Sequence, residues 1–210
     1  QPMQVLAAYE KTDVRFGDYM QNIVRIAVGK EHAMALGRDG SVYAWGRNNY
    51  SQVGLEDVAY QAVPVQIKAG QQTLTEEYEN NTYLTDIVDI AAGGATSVAV
   101  DEKGYVYTWG SNANGVLGIS RTGEELEKAV EPYRVFRGYL NPNDGTVLDP
   151  ATAGVAETYG SNYIYLTNIV HVAAGENHVL ALDQWGSVYA WGSNNSGQLG
   201  NGRDSNGAAA

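Results

Sequence analysis

The chain has 210 residues, 44% of them hydrophobic and 18% charged, a balance that belongs to a folded protein and not to a disordered one. A formal net charge of −11 offers no basic footprint for nucleic acid or for an anionic membrane surface. The absence of cysteine removes disulfides, thiolate nucleophiles and Cys-ligated metals, and no apolar run is as long as a membrane-spanning helix.

The first element in the chain is Pro2-Met-Gln-Val-Leu6, an extended stretch opened by proline, which lacks an N–H and therefore suits the start of an edge strand. Next comes a core over Ile23–Gly54: "IVRIAVG", then "HAMAL" (32–36), then "SVYAWG" (41–46). Strand alternation puts Val42 and Ala44 on one side of the last segment and Tyr43 and Trp45 on the other. Asp39-Gly40 between the second and third segments is a hairpin signal, because glycine tolerates positive φ. The core ends in "GRNNYSQVG", whose Asn and Gly are turn residues; without a D-x-D-x-D run it does not read as a calcium loop.

A second proline-led stretch, Pro64-Val-Gln-Ile-Lys68, opens the same sequence of events again. It leads through an insertion at 69–86 into a core at Ile87–Gly118 with "IVDIAAG", "TSVAV" and "GYVYTWG". After a short stretch at Glu124–Lys128 that reads as a helical turn, Pro132-Tyr-Arg-Val-Phe136 begins a third round. Its insertion, 137–168, precedes the core Ile169–Gly200 with "IVHVAAG", "HVLAL" and "GSVYAWG". Trp45, Trp109 and Trp191 thus occupy one slot, followed by Gly46, Gly110 and Gly192. The prolines recur at 62 and 68 residues and the tryptophans at 64 and 82, so the irregularity sits in the connections.

A repeated unit of four short strands (the proline-led strand first, then the three core strands) predicts an all-β propeller, whose blades bury their faces against one another. Three blades cannot close a ring of the usual size, so the sequence predicts an arc cut from a longer propeller, one segment over 1–210. An alternative has identical chains joining end to end, with Pro2–Leu6 completing a neighbour's last blade; an isolated arc would be open to edge-to-edge self-association.

The best copy, "AGENHVLALDQWGSVYAWGSNNSGQLG" (Ala174–Gly200), resembles the repeat of the regulator-of-chromosome-condensation family. The first copy differs at Val53 and the second at Thr96 and Val116. The resemblance implies a seven-bladed propeller in complete members and a platform for partner proteins. It offers guanine-nucleotide exchange on a Ran-type GTPase only as an alternative, because the loops that such activity needs cannot be mapped onto this chain.

Several residues invite a chemical reading. His32 and His178 share a repeat position, which favours hydrogen bonding to a neighbouring strand over catalysis; Thr96 stands there in the middle copy. His171 matches Arg25 and Asp89 in a variable slot expected to be solvated. The repeated tryptophans are expected to pack between blades, whereas Trp185, in a turn where Asp39 and Lys103 stand in the other copies, is expected to be exposed as a partner contact. Tyr139, Tyr159, Tyr163 and Tyr165 make the second insertion a second candidate contact region. No phosphate loop or nucleophile elbow is present, so no cofactor, metal or catalytic residue is assigned. The expected function is a non-catalytic protein-binding module. A carbohydrate-binding surface using Trp185 and the tyrosines of 159–165 is the rival. Abundant Tyr, Asn and Thr without cysteine lean toward a bacterial, secreted or surface-attached parent.

Overall fold

The computed structural model describes residues 2–7, 19–119, 126–137, 139–140, 147–148 and 165–202, and every structural statement below concerns these residues. The first antiparallel sheet comprises β1 (Ile23–Val28), β2 (His32–Gly37), β3 (Val42–Arg47) and β4 (Tyr60–Gln66), side by side in chain order. The second repeats that order with β5 (Ile87–Gly93), β6 (Thr96–Asp101), β7 (Val106–Ser111) and β8 (Lys128–Arg134). A two-residue ribbon, β9 (Tyr139–Leu140) with β10 (Val147–Leu148), precedes the third sheet, which has three strands: β11 (Ile169–Ala174), β12 (His178–Asp183) and β13 (Val188–Gly192). There is no α-helix among the described residues, only three 3-10 turns, Gly70–Leu74, Glu76–Tyr78 and Ala113–Gly115.

The register is the same in all three sheets. Ala33, Ser97 and Val179 face Trp45, Trp109 and Trp191, and Ala35, Ala99 and Ala181 face Tyr43, Tyr107 and Tyr189. Each first strand carries a bulge after its opening isoleucine, at Ile23, Ile87 and Ile169. The bulge turns Val24, Val88 and Val170 outward, each close to half exposed.

Strand β5 packs against β1 on one side and β11 on the other, so the first strands lie together and the sheets stand as successive blades. Period-2 alternation gives every sheet two apolar faces. The face holding Met34, Leu36, Val42 and Ala44 is called trailing; the one holding the Tyr and Trp of the third strand is called leading. Sheet 1's trailing face meets Ile90, Ala99, Tyr107 and Trp109 of sheet 2's leading face in one core. Sheet 2's trailing face, with Val98, Val100 and Val106, meets Val172, Val179, Ala181 and Trp191 of sheet 3 in another. Burying a side chain of this size contributes about 1.5–3 kcal/mol, so the joints and not the single sheets hold the array together.

The proline-led strands are not the first strands of their units. Pro64 lies inside β4 and Pro132 inside β8, and each is the outer strand of the preceding sheet, paired with β3 or β7. Both prolines fall where the register slips, between the pairs Ala44↔Val65 and Gly46↔Gln61 and between Thr108↔Tyr133 and Gly110↔Ala129. A bulge on an edge strand is where a missing N–H costs the ladder least. Lys128 likewise belongs to β8 and not to a helical turn.

Candidate interaction surface

Each joint is sealed by the same polar contacts. The indole of Trp109 donates to the carbonyl of Gln52 in the loop of the preceding sheet (3.1 Å), and that of Trp191 donates to the carbonyl of Val116 (2.8 Å). Gly46, Gly110 and Gly192 follow the tryptophans at φ 106°, 99° and 99°. A Cβ at Gly46 would sit 2.5 Å from the carbonyl oxygen of Glu31, so both conformation and space demand glycine. The loops after them are folded by one asparagine each. Asn48 Oδ1 accepts from Val53 N while Nδ2 donates to the carbonyls of Leu55 and Val58; Asn112 and Asn194 accept from Leu117 N and Leu199 N.

His32 is buried, and its Nε2 lies 3.0 Å from Ser97 Oγ of the next sheet, which itself donates to Gln52 O. Burial lowers its pKa to about 4, so it is neutral near pH 7. Thr96 at the matching place bonds within its own sheet, to Ser111 O at 3.0 Å. The residue matching Ser97 in sheet 3 is Val179, which offers no acceptor, and a threonine satisfied at home suits that neighbour. His178 is half-buried at the end of the array.

The slot of Arg25, Asp89 and His171 is not simply solvated. Asp89 is buried, with Arg25 Nη1 at 3.0 Å from Oδ1 and His171 Nδ1 at 2.5 Å from Oδ2; Oδ2 also accepts from Val172 N. The three residue types differ because they complement one another: a cation, an anion and an imidazole, one from each first strand. Repeat alignment showed the slot as variable, whereas the contact needs all three sheets in place.

At one end of the array lie the hairpins between second and third strands, with the insertion 69–86. The hairpins dock on the residue just before each first strand: Arg38, Glu102 and Gln184 donate their N–H groups to the carbonyls of Asn22, Asp86 and Asn168, residues with φ of 58°, 55° and 63°. Gly104 presses on the backbone of Asn168, where a Cβ would lie 2.6 Å from Cα; Gly186, with no sheet beyond it, has open space. Asp101 and Asp183 begin the second and third hairpins and accept from the N–H groups of Lys103 and Tyr105, or of Trp185 and Ser187. Burial pushes the Asp101 carboxyl up, whereas for Asp183 burial is outweighed by those N–H groups and the carboxyl sits below its ordinary range.

The insertion 69–86 is folded onto sheet 2. Gln72 is fully buried and pairs reciprocally with the backbone of Thr85, and Tyr78 is buried beneath Lys103, whose Nζ lies 4.8 Å from the ring centre and also pairs with Glu77. Burial first, and then the nearby carboxylates of Asp86 and Asp101, push the Tyr78 hydroxyl upward. Arg134 is buried over the rings of Tyr105, Tyr165 and Tyr107 and donates to Thr75. Lys68 bridges Tyr83 and Phe136 bridges Tyr165, so both insertions close on the same foot. Leu6 with Tyr19 makes a third such foot, legible in hindsight because Tyr19-Met20-Gln21 stands before "IV" as Tyr-Leu-Thr does elsewhere.

Trp185 sits in the third hairpin at the place of Lys103 and is 71% exposed. Tyr165 is half-buried, its ring stacked on Phe136 at 5.3 Å. Tyr139 is in the β9–β10 ribbon, while Tyr159 and Tyr163 lie outside the described residues. The folded insertion itself carries Glu76, Glu77, Glu79 and Asp86, and Glu102 lies on the hairpin bonded to Asp86. No cluster of three or more His, Cys, Asp or Glu that could hold a metal ion occurs among the described residues, and no helix among them is long and apolar enough to cross a membrane.

Two family models, both describing the regulator of chromosome condensation (RCC1) repeat, match this chain, one at residues 39–100 and the other at 23–52, 87–116 and 169–198. The chain belongs to the RCC1 repeat family. The 39–100 match runs from the third strand of one sheet to the second of the next, so the family's sequence unit straddles a joint. Among curated relatives, the human probable E3 ubiquitin-protein ligase HERC6 is 27% identical over 85% of this chain and 14% of its own length. Protein pim1 of Schizosaccharomyces pombe is 30% identical over 87% of this chain and 39% of its own. The chain therefore spans well under half of either relative. In solved structures, human WBSCR16 matches with a TM-score of 0.58 at 17% identity, over 90% of this chain and 39% of that one. Kap60 bound to yeast RCC1 (Prp20) gives a TM-score of 0.54 at 22% identity, over 89% and 36%. These likenesses show the fold, a β-propeller arc.

Proposed function

We propose that this chain is a non-catalytic protein-binding module whose contact surface is the end of the arc that carries the hairpins and the folded insertion 69–86. The observation that carries the reading is Trp185: a large aromatic, 71% exposed, on a hairpin whose N–H groups donate to the Asp183 carboxylate and the Asn168 carbonyl. A rigid turn presenting a tryptophan loses little entropy on binding, and tryptophan is enriched among the residues that dominate interface energies. The acidic residues of the folded insertion favour a partner with a positively charged contact surface, through faster encounter and matched potential. Yeast RCC1 has been solved with Kap60, and RCC1 repeats recur within named ubiquitin ligases, which supports partner binding as the use of this scaffold.

The test replaces Trp185 with the aromatic photo-crosslinker p-benzoylphenylalanine, which keeps a large aromatic side chain at the contact, and, in a separate variant, replaces Val24 with it as a control site. Capture of one protein from position 185 alone, weakened by added salt and by competition with the wild type but not with Trp185→Ala, is the expected result. Equal capture from both positions, or none, overturns it. A glycan array probed with the wild type and Trp185→Ala tests the carbohydrate reading, and a nucleotide-exchange assay with a Ran-type GTPase tests the exchange-factor reading; neither is expected to respond.

A further inference from the structure

Three Asn-x-Ser/Thr sequons stand in the chain, Asn49-Tyr-Ser51, Asn80-Asn-Thr82 and Asn194-Asn-Ser196, and the fold treats each differently. The atom that decides is the asparagine Nδ2, which carries the saccharide once an N-glycan is attached. A bulky, solvated glycan is kept only where that nitrogen has no structural task and its side chain leads into solvent. Asn194 fails on both counts. It is 8% exposed, its Nδ2 donates to Asn201 Oδ1 at 3.2 Å, and its Oδ1 accepts from Leu199 N at 3.0 Å. Asn49 is exposed, but its amide clamps the loop: Nδ2 donates to the carbonyl of Ala59 (3.1 Å) and Oδ1 accepts from Arg47 Nη2 (2.9 Å). The hydroxyl residue of that sequon, Ser51, is buried in the same turn at φ 62°.

Asn80 meets both conditions. Its stretch of the insertion is held from below by Tyr78 and Leu84, both buried, while Asn80 and Thr82 between them are exposed. The residue next to it does the fixing: Asn81 N donates to the carbonyl of Tyr78 and Asn81 Nδ2 to Thr85 Oγ1, each at 3.0 Å. Asn80 Nδ2 reaches the exposed carboxylate of Glu79 at 3.2 Å, a contact between adjacent surface residues that holds no part of the loop. The insertion packs on β8 of sheet 2, and that sheet is flanked on both sides.

We propose that Asn80 is an N-glycan acceptor of this chain, and that the fold excludes a glycan at Asn49 and Asn194. In the transfer, a saccharide carried on a polyprenyl diphosphate forms a bond from its anomeric carbon to Nδ2 of Asn80. The bond from that carbon to the diphosphate oxygen breaks, the lipid diphosphate leaves with the electron pair, and Nδ2 gives up one proton. The hydroxyl of Thr82 completes the sequon that the transferase reads.

The test secretes the 210-residue chain from cells that attach N-glycans, then strips the saccharides in heavy-oxygen water with an amidase that leaves a labelled aspartate at each former site. Peptide mass spectrometry of the secreted protein is expected to find the label at residue 80 and at neither 49 nor 194. Asn80→Gln and Thr82→Ala should each abolish the label and Thr82→Ser should keep it, all with the circular dichroism spectrum of the parent. Secreted protein with no glycan on Asn80 would overturn the proposal. A glycan on Asn49 or Asn194 in protein that keeps the parent spectrum would overturn it too. So would a failure of secretion that Asn80→Gln repairs, because the fold would then not admit a saccharide at that place.

Discussion

Sheet 2 and sheet 1 are built from the same residues in the same register, yet they live in different surroundings. Trp109 is fully buried and its indole is bonded to the preceding sheet, whereas Trp45, in the same slot, stands on an uncovered face and remains half-buried. The contrast extends to the hairpins: Gly104 is wedged against Asn168, whereas a Cβ on its counterpart Gly186 would meet open space. A blade's residues say what kind of neighbour it accepts. Whether that neighbour is there decides how much each residue contributes.

The sharpest way to break this comparison is to truncate the tryptophans in turn. Trp109→Ala should destabilise the chain by about 3–5 kcal/mol, and Trp45→Ala by less than half as much, in urea unfolding followed by circular dichroism. Equal losses would mean that the joint is not the source of stability. The second prediction uses the buried imidazole between sheets 1 and 2. The folded pKa of His32 is about 4 against an ordinary 6.5, so the unfolded chain takes up a proton that the folded one refuses. Stability from this residue is complete above pH 6.5 and falls as the pH drops toward 4, by as much as about 3 kcal/mol. His32→Thr, copying Thr96, should flatten that window of the pH–stability profile.

Smaller effects sharpen the contrast further. Gly104→Ala should cost about 2–3 kcal/mol, combining positive φ with a backbone clash, while Gly186→Ala should cost only about 1 kcal/mol for the dihedral. Trp185→Ala should leave stability within about 0.5 kcal/mol, since the side chain is 71% exposed. A larger loss would assign Trp185 to the fold and remove it from the contact surface.

The repeat, the strands and the tryptophan slot were legible because alternation and recurrence are local properties of the chain. The place of the proline-led strand was not. "YQAV" before Pro64 and "KAVE" before Pro132 share no pattern, and only the pairing of β4 with β3 and β8 with β7 shows that these segments finish a sheet and do not begin one. Arg25, Asp89 and His171 look like a solvated, variable slot in the sequence because alignment compares like with like, while this contact joins unlike groups. The folded state of 69–86 was also hidden: Gln72 and Tyr78 are buried there through partners, Thr85 and Lys103, that no periodicity marks.

The bridges Lys68–Tyr83 and Phe136–Tyr165 enclose 14 and 28 residues between ends of identical geometry. Chain-closure entropy rises only about 0.6 kcal/mol for such a doubling, so the length of what hangs there is almost free of consequence for the blades. A graft between Lys68 and Tyr83 should therefore be tolerated at almost any length, provided that it keeps Gln72, Thr75 and Tyr78, whose contacts tie the loop to the sheet beneath it.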